Sequence, residues 1–94
     1  MKSTIWKFPL RAVDEQTIGV PRGGQILSVA VQRGTIVVYA LVDPKAPFEN
    51  RVVRIHGTGH SCDLDGFRFV GTALLVDGDL VFHVFVNEQP RGTF

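Results

Sequence analysis

Phe67-Arg68-Phe69-Val70-Gly71-Thr72-Ala73-Leu74-Leu75-Val76 is followed by Asp77-Gly78 and then by Asp79-Leu80-Val81-Phe82-His83-Val84-Phe85-Val86-Asn87. Both arms are rich in Val, Phe and Leu, the residue types that fit a pleated, buried surface. Asp-Gly between two apolar runs is the strongest short hairpin signal. A type I′ turn demands positive φ, which glycine supplies without steric cost. The stretch therefore predicts two antiparallel strands, over residues 67–76 and 79–87, joined tip to tip.

The same texture extends toward the N-terminus. Residues 25–32 alternate, with Leu27, Val29 and Val31 on one face and Ile26, Ser28 and Ala30 on the other. Arg33-Gly34 is a weaker turn signal, and residues 35–43 beyond it are apolar on both faces. Residues 51–56 place Val53 and Ile55 opposite Val52, Arg54 and His56. Residues 5–10 read as a short aromatic strand that Pro9 marks as an edge or an end. Residues 17–20 read as a brief strand before Pro21. Asp43-Pro44-Lys45-Ala46-Pro47 is a loop in which no ladder can continue, and residues 57–63 form a second polar loop. No window holds a 3.6-residue period over three turns, and residues 13–16 are the one short helix candidate.

Five to seven strands with hairpin links predict an all-β domain with little or no helix. The expected form is a small antiparallel meander rolled into a compact sandwich or half-barrel. Residues 1–94 read as a single domain, with 89–94 as a loose tail or an arm against a neighbour. Several strands are apolar on both faces, and an open sheet would leave one of those faces wet, so either the sheet folds over itself or a second copy covers it. That predicts a homo-oligomer.

Ten basic and nine acidic residues leave a net charge of +1. That balance offers no electrostatic footprint for duplex nucleic acid or an anionic membrane, though a small anion needs only a local pocket. The single cysteine, Cys62, permits no intrachain disulfide, which suggests a reducing compartment. The N-terminus lacks the apolar core of a signal peptide. The longest apolar run, residues 36–42, is far below the ~18 residues of a membrane helix. These features together predict a cytoplasmic protein.

Chemistry concentrates in Arg54-Ile55-His56-Gly57-Thr58-Gly59-His60. Arg54 and His56 share one strand face. The Gly-Thr-Gly segment lets backbone N–H groups approach an oxyanion, and Arg offers a fork of donors matched to phosphate. The segment is neither a Walker loop nor a dinucleotide fingerprint, because no Gly-Lys-Ser/Thr and no helix follow. It reads somewhat better as a glycine-rich hairpin loop with a solvated Arg and His. Trp6 and Tyr39 carry polar tips and could stack on a base, although most aromatics are expected in the core. His56, His60, Cys62 and His83 lack the paired spacings of a zinc site, so no metal and no cofactor are expected. Cys62 or Ser61 with a histidine shows no nucleophile elbow. Turn chemistry accounts for Asp63/Asp65 and Asp77/Asp79, so no catalytic residues are expected.

A wider pattern runs through Thr4-Ile5-Trp6-Lys7-Phe8-Pro9-Leu10, Ile26-Leu27-Ser28-Val29, Ala40-Leu41-Val42-Asp43-Pro44, residues 54–60, Phe69-Val70-Gly71-Thr72 and Leu80-Val81-Phe82-His83-Val84-Phe85. In this order the chain resembles a family of small proteins of phage and prophage genomes. The resemblance implies a compact intracellular β domain made during infection. Small phage β proteins of this kind are in turn similar to anti-defence sponges. Those bind the cyclic nucleotide signals of bacterial immune systems such as CBASS, as oligomers and without cleaving them. The resemblance thus implies a role and no mapped site. The expected function is a non-enzymatic protein that sequesters a small anionic signalling nucleotide, with Arg54, His56, Thr58, His60, Trp6 and Tyr39 as candidate contacts. The alternative is a protein–protein module that inhibits a host protein.

Overall fold

The structure is a computed structural model that describes residues 2–87. Seven strands run in chain order: β1 (Thr4–Pro9), β2 (Glu15–Pro21), β3 (Gln25–Gln32), β4 (Thr35–Val42), β5 (Phe48–Gly57), β6 (Phe67–Leu75) and β7 (Leu80–Asn87). All seven expected strands are present, and β5 starts earlier than its apolar centre suggests. No helix forms among the described residues. At the short helix candidate the chain bends and then enters β2. There Gln16 accepts from the Arg11 N–H (3.0 Å) and donates to the Arg11 carbonyl (2.6 Å), which fixes the β1–β2 link.

The strands form two antiparallel sheets, ordered β1-β4-β3 and β2-β5-β7-β6. The antiparallel sandwich expected from the sequence is present. The meander holds only at the β3–β4 and β6–β7 hairpins. The pairings β1–β4, β2–β5 and β5–β7 join strands that are not consecutive. Turn residues specify only the links they close, so these long-range choices fall to burial of complementary apolar faces.

Burial alternates along the strands and places an aliphatic core between the sheets. Ile36, Val38, Ala40 and Val42 of β4 meet Val20, Val53, Ile55, Ala73, Val84 and Val86 of the other sheet, with Ile26 from β3 and Leu10 from the β1–β2 link. Burying one such Val or Ile side chain stabilises by about 1.5–3 kcal/mol. No aromatic ring is among these buried residues. Trp6, Phe8 and Phe82 pack on the margin, whereas Phe48 and Phe69 are exposed, which corrects the expected aromatic core.

β6 lies alongside β3, so the sandwich is nearly closed on that side. Arg68 Nη2 donates to the Ile26 carbonyl there at 2.8 Å. The approach is close: a Cβ at Gly71 would lie 2.5 Å from Val29 Cγ1. At the opposite end of β3, Arg33 (φ 51°) and Gly34 (φ 78°) make the two-residue turn closed by the Gln32–Thr35 pair. Both central residues have positive φ, as a type I′ turn requires. The expected tail, residues 89–94, lies outside the described residues.

Candidate functional site

The outer faces of the two sheets carry different chemistry. On the four-stranded sheet, Arg54 and His56 share the outward face of β5, as their spacing predicts. The Arg54 fork is already engaged. Its Nε donates to Glu15 Oε1 at 2.8 Å, its Nη1 donates to the Asp63 carbonyl at 2.6 Å, and its Cζ lies 4.3 Å from the Phe67 ring centre. Arg54 thus ties the β5–β6 loop to β2. The adjoining cleft of about 280 Å³ is lined by Arg54 and His56 but also by Asp14, Glu15 and Asp63. Three carboxylates against one arginine make poor surroundings for an anion.

The other expected contacts on this sheet are dispersed. Thr58 Oγ1 hydrogen-bonds His83 Nε2 at 2.8 Å, and Thr72 Oγ1 hydrogen-bonds His83 Nδ1 at 3.0 Å. His60 folds back over Gly57, its ring about 3.1 Å from where a Cβ would stand, and its N–H donates to the Gly57 carbonyl at 3.3 Å. The Gly-Thr-Gly segment is therefore a tight turn, closed by the His60 backbone N–H on the Gly57 carbonyl. His56 Nε2 is buried without a hydrogen-bond partner among the described residues, and its ring meets Phe85 edge-on at 6.4 Å. Cys62 is a free, exposed thiol. Among the described residues no three His, Cys, Asp or Glu side chains converge on a metal position. No helix there is long and apolar enough to cross a membrane.

Trp6 and Tyr39 belong to the three-stranded sheet, apart from Arg54. Trp6 points inward, packs on the core margin and lies 6.4 Å from Phe8 and 6.2 Å from Phe48, ring centre to ring centre. Tyr39 faces outward and pairs in register with Lys7 on β1 and Ser28 on β3.

Beside Tyr39 lies a pocket of about 510 Å³, lined by Lys7, Pro9, Gln32, Arg33, Thr35 and Val37. It is within the roughly 300–1,000 Å³ typical of small-molecule sites. Three strands build it: Lys7 and Pro9 from β1, Thr35 and Val37 from β4, and Gln32 from β3, with Arg33 at the turn. Lys7 Nζ donates to Gln32 Oε1 at 2.6 Å, and Gln32 Nε2 approaches the Tyr39 hydroxyl at 3.5 Å. Among the described residues the lining holds two cations and no carboxylate. Sequence reasoning found Tyr39 but missed Lys7, Gln32 and Arg33. Arg33 reads as a turn residue and Lys7 as an ordinary polar position, and only the β1–β4 pairing brings them together. The one signal available was a cation at a turn position that usually takes Asn, Asp or Gly.

Compared with known families, residues 1–93 match the model of a family described as Domain of unknown function (DUF7352). Nothing matches the chain among the curated proteins, and nothing matches it among the solved structures.

Proposed function

We propose a function for a chain that belongs to the family described as Domain of unknown function (DUF7352): it binds and sequesters a small anionic nucleotide without turning it over. The observation that carries this reading is the pocket on the outer face of the three-stranded sheet, where Lys7 and Arg33 stand with no carboxylate in the lining among the described residues. Phosphate oxygens would lie between the two cations, and Thr35 and Gln32 would contribute neutral polar contacts. The Tyr39 ring, on the same face, would flank a base. Among the described residues the lining pairs no nucleophile with a base, which favours holding over hydrolysis. The resemblance to small phage proteins supplies the setting of the proposal, an anti-defence role against a cyclic nucleotide signal. A homo-oligomer remains part of it. Ile5, Leu27 and Leu41 are exposed along this sheet, as a surface covered by a second copy would be.

The test is a thermal-shift screen against cyclic dinucleotides and trinucleotides, with the ligand recovered and chromatographed after denaturation. A ligand that binds only the folded chain stabilises it by ~2.7 kcal/mol at a hundredfold excess over Kd. A raised Tm with intact ligand supports sequestration. Degraded ligand would identify an enzyme, and no shift with any member of the panel would remove the nucleotide reading.

One observation favours a second reading, a protein-interaction module. Phe69, Leu74, Val76 and Leu80 are all exposed on or beside the β6–β7 hairpin. That reading expects no small-molecule shift and loss of a host-protein complex on Phe69→Ser.

A further inference from the structure

The β3–β4 turn sets a residue against its backbone. Arg33 occupies the first central position of a type I′ turn at φ 51°, inside the left-handed region. Asn, Asp and Gly are the residues that hold this position comfortably: Gly has no Cβ to meet the following carbonyl, and the short polar side chains of Asn and Asp offset that contact with local hydrogen bonds. Arginine gains nothing local in exchange: among the described residues its guanidinium makes no hydrogen bond and no ion pair. It does line the pocket that holds Lys7. Lys7, by contrast, is held in place by Gln32. The pocket therefore has one fixed cation on a strand and one unengaged cation on a turn.

We propose that Arg33 is the residue that determines affinity in this pocket, a phosphoryl-gripping side chain retained at the expense of turn stability. The inference rests on the binding site described above and deepens it. Backbone strain persisting where a side chain reaches a binding pocket is the pattern that points to use by a ligand. The guanidinium fork matches two oxygens of one phosphoryl group, while the Lys7 ammonium supplies a point charge from the other side. The chemistry shared by every candidate ligand is thus a phosphoryl oxyanion. Whether it is part of a nucleotide or free is read from two probes.

The experiment compares the wild-type chain with Arg33→Asn, Arg33→Lys and Lys7→Ala. Each is titrated calorimetrically with inorganic pyrophosphate and with cyclic di-adenosine monophosphate, and each is melted without ligand. Arg33→Asn is expected to raise Tm by about 2–6 °C, because Asn suits the turn. The same variant is expected to weaken binding by about tenfold or more, the loss of a charge-assisted, bidentate contact. Arg33→Lys keeps the charge, loses the fork and should bind between the two. A phosphoryl group recognised by itself gives the same loss with both probes. One recognised as part of a nucleotide gives the loss with the dinucleotide alone. Opposite movements of stability and affinity in one variant are what a merely structural Arg33 would not produce. If Arg33→Asn binds as tightly as the wild type while Lys7→Ala does not, the role of Arg33 is overturned and the pocket stands. The role is equally overturned if Arg33→Asn lowers Tm. If the wild type binds neither probe, the pocket reading falls and the role of Arg33 with it.

Discussion

Val76 carries a branched Cβ at φ 53°, a backbone region where β-branched side chains are outliers. The reason lies in the loop it opens. Gly78 N–H donates to the Leu75 carbonyl at 3.1 Å, so Val76 and Asp77 are the turn's central pair, and Gly78 (φ 90°) follows them. Asp-Gly announced the hairpin correctly: an overlapping turn, Asp79 N–H to the Val76 carbonyl at 2.9 Å, takes Asp77 and Gly78 as its own central pair, and the loop closed by the Leu75–Leu80 pair spans residues 76–79 rather than the dipeptide alone. Val76 is also largely exposed, so its side chain gains little from burial. Val76→Asn is therefore expected to stabilise the domain by roughly 0.5–1 kcal/mol through relief of the left-handed strain. Chemical denaturation with an unchanged m-value would show it, and a lower midpoint would mean that Val76 makes contacts that outweigh its strain. Arg54 and Arg33 illustrate the complementary lesson. Arg54 was conspicuous because it sits beside glycines and histidines, yet its Nε and Nη1 are already bonded to Glu15 and the Asp63 carbonyl. Arg33 was inconspicuous and is unengaged among the described residues. A sequence shows a donor, but the fold decides whether that donor is already spent.

The strands were legible because period-two alternation and turn residues are local signals. Their partners were not. A strand alternating between apolar and polar fits several neighbours equally well, and only the hairpin turns name a partner directly. Lys7 and Gln32 meet because β1 pairs with β4 rather than with β2, a choice that no local motif announces. Close packing adds a constraint at β6, whose Gly71 faces Val29 across the gap to β3. Gly71→Ala forces a Cβ into space that Val29 already fills. It is expected to cost about 1–3 kcal/mol as overpacking. An unchanged unfolding midpoint would show that β3 and β6 separate freely. The β5–β6 loop offers a second check. Arg54→Ala removes an exposed ion pair, a carbonyl contact and a stacked cation, expected to cost about 1–2 kcal/mol in all. Hydrogen exchange should quicken around Asp63 and Asp65, while affinity for an anionic ligand should stay as it was. A matching loss of affinity would return the site to the four-stranded sheet.

A net charge of +1 conceals how the charges are distributed. Among the described residues the pocket on the three-stranded sheet carries two cations and no acid, whereas the cleft on the four-stranded sheet carries one arginine among three carboxylates. Composition averages the two and signals neither. Local fields of this kind select small ligands by sign even when the whole molecule is close to neutral. The two clefts lie on different sheets and hold different residues, so their ligand responses are separable. Amide chemical-shift mapping makes the separation directly: a ¹⁵N-labelled sample is titrated with the cyclic nucleotide that gives the largest thermal shift. Binding in the basic pocket predicts perturbed amides at Lys7, Gln32, Arg33, Gly34, Thr35 and Tyr39, with residues 54–63 unmoved. Perturbations confined to Arg54, His56 and the loop after Gly57 would contradict it.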